Sequence, residues 1–274
     1  MKISLLQMTS GIVPAANAAT IVAAIADASR AGATMLFTPE MSGLIDRDRE
    51  RASQAIVAEH VDETLVAVRK AADAHGMWVH LGSLAVRRED GKWANRSFLI
   101  DDSGKIRARY DKLHLFDVDL PTGESWRESA AYTGGTRAIV AASPLGPIGM
   151  TICYDLRFPD LYRALSDAGA TVLAVPAAFT RPTGMAHWHV LLRARAIEAG
   201  VFVVAAAQTG AHEDGRETYG HSLVIDPWGE VLLDMGEPAG LSIVDINTAR
   251  VDDVRARIPA LKHRREVPLV ETVG

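Results

Sequence analysis

Short runs of Val, Ile, Leu and Ala recur along the chain, each four to eight residues long and bounded by Gly, Pro, Asp or Ser. Runs of this kind read as strands buried on both faces. They alternate with segments whose apolar residues return at helical spacing, near Ala18–Ala31, Glu63–His75, Pro159–Ala168 and Ala186–Ala199. A glycine closes each (Gly32, Gly76, Gly169, Gly200), as helix C-termini prefer. Strands alternating with amphipathic helices predict an α/β fold.

The pattern repeats once. Ala31-Gly32-Ala33-Thr34-Met35-Leu36 matches Ala168-Gly169-Ala170-Thr171-Val172-Leu173, and a proline follows each, Pro39 and Pro176. Further on, the order helix, Gly76, apolar run Met77–Leu84, Glu89-Asp90-Gly91, Ser97–Ile100 and the turn Asp101-Asp102-Ser103-Gly104 is met again. Its second copy is helix, Gly200, Val201–Ala207, Glu213-Asp214-Gly215, Ser222–Ile225 and Asp226-Pro227-Trp228-Gly229. Each half has helices for one sheet face only, so the other face must be buried against its twin. The expected architecture is a four-layer α-β-β-α sandwich about a pseudo-twofold axis. No low-complexity linker interrupts it, and residues 1–274 read as a single domain whose tail, 247–274, has no readable pattern.

Hydrophobic residues make up 48% of the 274, enough for a large core, with a net charge of −5 and no Lys/Arg block, which argues against a nucleic-acid partner. The single cysteine excludes an intramolecular disulfide and a cysteine zinc cluster. No apolar stretch has the length of a bilayer span, and the run Ile3–Met8 is too short for a signal segment. The expected setting is the cytoplasm, with no membrane partner. Nine histidines are scattered without HExxH, so no metal site is expected, and no phosphate-binding glycine loop or GxSxG elbow calls for a cofactor or a serine nucleophile.

Three positions could carry chemistry. Cys153 closes the run Ile148–Ile152 just before a helix, where a side chain projects from the sheet end beside free N–H groups. A lone cysteine is also a common small core residue. Glu40 ends the run Met35–Pro39 at the carboxyl rim of the sheet, either a general base or an ordinary loop carboxylate. Lys112 lies in the apolar setting Tyr110-Asp111-Lys112-Leu113-His114-Leu115-Phe116, fit for an oxyanion or for a snorkelling surface role. Glu128 carries little signal alone.

Taken together, these segments resemble the nitrilase, or carbon–nitrogen hydrolase, superfamily. Leu36–Glu40 is similar to its glutamate motif, Tyr110–Phe116 to its lysine motif and Gly149–Pro159 to its nucleophile motif, in the family's chain order. The resemblance runs from the first strand to about Asp245 and implies the same four-layer fold. It implies a Glu40–Lys112–Cys153 catalytic set with Glu128 lining the site. The implied reaction is hydrolysis of a small amide to acid and ammonia through a cysteine thioester, with the Tyr154 N–H helping to hold the oxyanion and no cofactor. Several strings look like the deaminated-glutathione amidase (Nit) branch: His114–Asp119, Arg127-Glu128-Ser129, Ala178-Phe179-Thr180, Thr183–Trp188 and Tyr219–Ser222. Met41-Ser42-Gly43 departs from it, in a loop expected at the pocket. Tyr154, Arg157, Phe179, Thr180, Arg181 and His187 are the expected substrate-binding residues, the arginines suiting a carboxylate. An omega-amidase and an N-carbamoyl amino acid hydrolase use the same set; a non-catalytic interaction module and a metal amidohydrolase are the other readings. Arg193, Arg195 and Glu198 are expected to pair with one another or across a subunit contact, and the tail to lie at a homodimer contact.

Overall fold

The structure, a computed structural model, describes residues 1–119, 123 and 125–273. Two six-stranded sheets carry the fold. In the first, the spatial order is Gly240–Asp245, Lys2–Gln7, Met35–Phe37, Trp78–Arg87, Trp93–Ile100, Ile106–Asp111; in the second, it is Ile139–Ser143, Gly146–Met150, Val172–Ala174, Phe202–Ala205, Leu223–Ile225, Val231–Asp234. Read in that order, each sheet shows the same pattern: an antiparallel pair, two parallel pairs, then two antiparallel pairs. The repeat seen in the sequence is therefore a repeat of topology. The two Asp-x-x-Gly turns even share their hydrogen bonds. Asp101 Oδ1 accepts from the N–H of Ser103 and Lys105, and Asp226 Oδ1 from Trp228 and Glu230. One asymmetry remains: the first sheet takes its outer strand, Gly240–Asp245, from the far end of the chain.

Period-two geometry sends alternate side chains to opposite faces of a strand. Met35 and Phe37 join Ile148, Met150 and Val204 in the core where the sheets meet, while Leu36 packs with Ile21, Ile25 and Val68 of the outer helices. All three strand residues are fully buried, each worth about 1.5–3 kcal/mol. Both faces being covered explains why these strands read as continuous apolar runs.

Helix Glu63–His75 lies where the periodicity put it, capped by Asp62 and closed by left-handed Gly76. Helix Pro159–Asp167 also agrees, with Ala168 as its cap. Helices Pro14–Arg30 and Arg181–Ala199 start several residues earlier than expected, because Pro14 and Pro182 sit in their first turns, where a missing N–H costs nothing. Pattern reading also misses helix Arg49–Ala55, capped by Asp48, and the two hairpins Asp117–Asp119/Ser125–Arg127 and Thr209–Ala211/Glu217–Tyr219. The unreadable tail begins with helix Arg250–Arg257, which buries Val251 and Val254 and ties Arg255 to the carbonyls of Ala170, Ala199 and Gly200. No helix among the described residues is long and apolar enough to cross a membrane.

Candidate active site

Glu40 lies three residues beyond strand Met35–Phe37, on a loop fastened to an irregularity in the neighbouring strand. The pairing of Trp78–Arg87 with Trp93–Ile100 shifts between Leu81 and Leu84. There Ser83 donates its N–H to the Pro39 carbonyl at 3.3 Å and its hydroxyl accepts the Met41 N–H at 2.9 Å. Gly82 N–H reaches Thr38 Oγ1 at 3.0 Å. A Cβ on Gly82 would stand 2.1 Å from the Thr38 carbonyl oxygen, so only glycine lets the loop lie this close. From the other half, Gln208 Nε2 donates to the Glu40 carbonyl at 2.9 Å.

Lys112 follows the edge strand Ile106–Asp111, its N–H on the Asn95 carbonyl at 2.9 Å. Cys153 follows strand Gly146–Met150 and opens the 3-10 turn Cys153–Arg157 at φ 47°, a left-handed conformation unusual for a residue with a side chain. Asp155 secures this turn. Fully buried, it accepts the Ile152 N–H (2.9 Å), the Tyr110 hydroxyl (2.6 Å) and both the backbone N–H (3.1 Å) and Nδ1 (2.7 Å) of His114. One carboxylate thus binds the cysteine turn to the segments on both sides of Lys112. Arg195 supports the same turn by donating to the Leu156 carbonyl while pairing with Glu198 at 2.7 Å. The anticipated pairing of Arg195 with Glu198 is present within the chain; Arg193 instead reaches the Gly229 carbonyl.

These three side chains, expected from three distant segments, meet. Lys112 Nζ lies 2.9 Å from Glu40 Oε1 and 2.9 Å from Glu128 Oε2, and is 2% exposed. Asn95 Nδ2 bridges the same carboxylates, at 2.9 Å from Glu40 and 3.1 Å from Glu128. The Ala178 N–H donates to Glu40 Oε2 at 2.8 Å, and the Phe116 N–H to Glu128 Oε2 at 2.7 Å. Cys153 lines the same cavity as Glu40 and Lys112, whose charges act on its thiol in opposite senses.

Burial sets the electrostatics. It pushes the Glu40 carboxyl upward, but the Lys112 charge and hydrogen bonds from Lys112 and Ala178 prevail and hold it below the ordinary value. Burial and the Glu40 charge push the Cys153 thiol well above its ordinary value, and Lys112 offsets this only in part. Burial opposes the Lys112 ammonium, yet Glu128 and Glu40 raise it well above its ordinary value. The resting site is therefore a carboxylate, a thiol and an ammonium. An ammonium has three protons; with two engaged by Glu40 and Glu128, one is left for a third acceptor.

A cavity of about 440 Å³ opens onto this group. Glu40, Lys112, Glu128, Cys153, Tyr154, Phe179 and Thr180 line it. Arg157, Arg181 and His187 do not. Arg157 lies over the Tyr154 and Phe179 rings with its guanidinium 3.3 Å from His187 Nδ1, and Arg181 pairs with Glu237 at 2.9 Å. The arginines facing the cavity are others. Arg47 and Arg216 both stack on Trp126, at 5.4 and 5.0 Å, and the buried indole Nε1 of Trp126 has no hydrogen-bond partner among the described residues. Met41, in the departing loop, does line the cavity. Asn95, Asp155, Arg47 and Arg216 escape sequence reasoning; a carboxamide in a strand and arginines in polar turns look ordinary until the fold aims them.

Residues 2–256 match the model of the family described as carbon–nitrogen hydrolase. The chain belongs to the carbon–nitrogen hydrolase family. It is 43% identical over 241 residues to a deaminated glutathione amidase of Synechocystis sp., covering 86% of this chain and 88% of that one. The crystal structure of the Caenorhabditis elegans NitFhit protein superimposes with a TM-score of 0.90 at 38% identity, covering 96% of this chain and 65% of that longer one. An amidase from Nesterenkonia sp. AN1 superimposes with a TM-score of 0.82 at 29% identity, covering 97% and 94%; that structure shows an acetamide moiety covalently added at its active site cysteine. The fold is of the nitrilase type, and the chain is a hydrolase of carbon–nitrogen bonds, of the amidase kind.

Proposed function

We propose that Glu40, Lys112, Cys153 and Glu128 form the catalytic set of an amidase acting on a small carboxylate-bearing amide, similar in substrate to the deaminated glutathione amidases. The observation that carries this is a buried ammonium held 2.9 Å from each of two carboxylates, on one cavity with the chain's single thiol.

In this reading Glu40 takes the Cys153 proton as sulfur attacks the carbonyl carbon. The third Lys112 proton and the Tyr154 N–H, which has no hydrogen bond among the described residues, receive the oxyanion. Glu40 returns the proton to the leaving nitrogen, the carbon–nitrogen bond breaks and a thioester remains. Glu40 then deprotonates water, which displaces the sulfur and releases the acid. Glu128 holds Lys112 in place. From an unsubstituted amide the leaving group is ammonia; from a substituted amide such as those of glutathione it is an amine, so an ammonia assay alone is blind to it. Arg47 and Arg216 supply cationic groups for a carboxylate at the far end of the substrate. No metal or cofactor enters these steps.

Two further readings belong here. The single cysteine suits a reducing cytoplasm. Exposed Met185, Val190 and Ile197 on helix Arg181–Ala199, with Val267, Leu269 and Val270 of the tail, suit a homodimer contact, checked by light scattering on the purified chain.

The deciding experiment follows both acid and amine products by mass spectrometry over amides with and without carboxylates, alpha-keto amides and N-carbamoyl amino acids, beside Cys153→Ala. Turnover of a carboxylate-bearing amide, absent in Cys153→Ala, supports the proposal. Turnover near the wild-type rate in Cys153→Ala sinks the mechanism. Preference for an alpha-ketoglutaramate-like amide, or carbon dioxide release, reassigns the substrate to an omega-amidase or a carbamoyl hydrolase.

A further inference from the structure

Outside the cavity, three donor side chains from separate elements converge on one point. His189 comes from the middle of helix Arg181–Ala199, His221 from the turn after Tyr219, and Asp234 from the end of strand Val231–Asp234. His189 Nε2 lies 3.0 Å from Asp234 Oδ2, and His221 Nδ1 lies 2.9 Å from Asp234 Oδ1. The three donor atoms lie within 4.8 Å of one another. Their side chains are 32%, 21% and 35% exposed, so the group is reachable from solvent yet held.

The surroundings fix each donor. His221 adopts φ 53°, and its backbone is pinned on both sides: its N–H donates to the Gly236 carbonyl at 2.7 Å and its carbonyl accepts the Trp188 Nε1–H at 2.8 Å. The Tyr219 ring stacks on His221 at 4.4 Å and stands edge-on to His189 at 6.0 Å. The Gly236 N–H donates to Asp234 Oδ1 at 2.9 Å, the kind of outer hydrogen bond that orients a ligating carboxylate.

We propose that His189, His221 and Asp234 form a binding site for a zinc-class divalent cation, distinct from the amidase centre. Two imidazoles and a carboxylate are a common donor set for zinc, with metal–ligand bonds of about 2.0–2.2 Å and a fourth position open to water. Tetrahedral ligands at that radius sit roughly 3.3 Å apart. On the oxygen that both imidazoles face, Asp234 Oδ2, the separations are 3.0 Å to His189 Nε2 and 3.2 Å to His221 Nδ1, and need to open by only a few tenths of an ångström. The nitrogens facing Asp234 are His189 Nε2 and His221 Nδ1, so a cation displaces only the protons shared there. The site clamps helix Arg181–Ala199 to the hairpin segment ending at Tyr219, whose N–H donates to the carbonyl of cavity-lining Phe179 at 3.0 Å.

The test uses untagged, chelator-treated full-length protein titrated with Zn²⁺ by calorimetry, and with Co²⁺ by visible absorption. The variants are His189→Gln, His221→Asn (a residue tolerant of left-handed backbone), Asp234→Asn and, separately, Cys153→Ser. The expected result is one Zn²⁺ per chain in the wild type and in Cys153→Ser, weakened at least about tenfold by each of the other three. The Co²⁺ spectrum should lack a thiolate charge-transfer band. Amidase activity of apo His189→Gln and apo Asp234→Asn should match the wild-type apo protein, which separates ligand loss from misfolding. No stoichiometric Zn²⁺ binding, or binding abolished by Cys153→Ser and unaffected by the other three, overturns the proposal.

Discussion

Glu40→Gln isolates the base with almost no change of shape, and the geometry sets what it should do. Glu40 Oε1 accepts from Lys112 and Asn95, each at 2.9 Å, and Oε2 accepts from the Ala178 N–H at 2.8 Å. A glutamine has one accepting oxygen, so either orientation turns its NH₂ toward a donor. One buried donor is left unpaired, which costs about 1–3 kcal/mol of stability. Catalysis should fall further. Loss of a positioned base costs about 10²–10⁴-fold, or roughly 3–5 kcal/mol of barrier at about 1.4 kcal/mol per tenfold. The thiol should move the other way. The Glu40 charge raises it, so its removal leaves Lys112 to act against burial alone, and thiolate becomes easier to form. The assay is kcat/KM on the best amide from the panel, beside carboxymethylation of Cys153 at neutral pH and urea denaturation. Turnover should drop by at least about a hundredfold while carboxymethylation does not slow. A folded Glu40→Gln protein within about tenfold of wild-type kcat/KM would refute the assignment of the base, a loss too small for a positioned proton acceptor.

Other consequences follow from the same geometry. The working state, with Glu40 ionised, Cys153 protonated and Lys112 charged, persists from below the ordinary carboxylate range to above the ordinary thiol range. The kcat/KM profile should be flat through neutrality, and a limb titrating between about pH 6 and 8, where an unperturbed imidazole changes charge, would contradict it. Because the folded Glu40 value is lowered, its stabilising contribution is fully present above its unfolded value and disappears as pH falls through the folded one; denaturation against pH should place that loss below the ordinary glutamate value of 4.5. Asp155→Ala leaves the Tyr110 hydroxyl and the Ile152 and His114 N–H groups unpaired, so urea titration should show a loss of about 3 kcal/mol or more, and a loss below about 1 kcal/mol would show that these groups find other partners. Arg216→Gln should raise KM by roughly ten- to a hundredfold for a carboxylate-bearing amide, the cost of one charge-assisted hydrogen bond of roughly 1.5–3 kcal/mol, and leave a neutral amide of similar size unchanged; equal effects on both would remove Arg216 from carboxylate recognition.

The repeat and the three motif segments were legible because each is carried by strong local signals. Apolar strands buried on both faces cannot be confused with loops, and Glu40 and Cys153 each sit three residues beyond such a strand, where the sheet rim must lie. The residues that hold the catalytic side chains in place were not legible. Asn95 reads as one polar residue in strand Trp93–Ile100, and only its pairing with Ala85 on one side and its carbonyl's bond to the Lys112 N–H on the other set its side chain between two carboxylates. The pocket arginines went astray for a related reason. Arg157 and Arg181 were favoured for nearness in sequence to the nucleophile and the expected mouth, yet Arg157 lies over two rings and Arg181 turns to Glu237. Arg47 and Arg216 reach the cavity from loops whose paths no periodicity fixes. The His189–His221–Asp234 cluster escaped because helical spacing separates His187 from His189, and the partners of His189 come from over thirty residues away.

The central claim is that the acyl group passes through the sulfur of Cys153. Wild-type enzyme mixed with its best amide substrate and quenched in acid within the first turnovers should carry one added mass, equal to the acyl fragment. Peptide mapping should place it on Cys153, hydroxylamine should remove it, and Cys153→Ala should never acquire it. Full turnover with no acyl group on Cys153 at any quench time, or an adduct mapped to another side chain, would contradict the account.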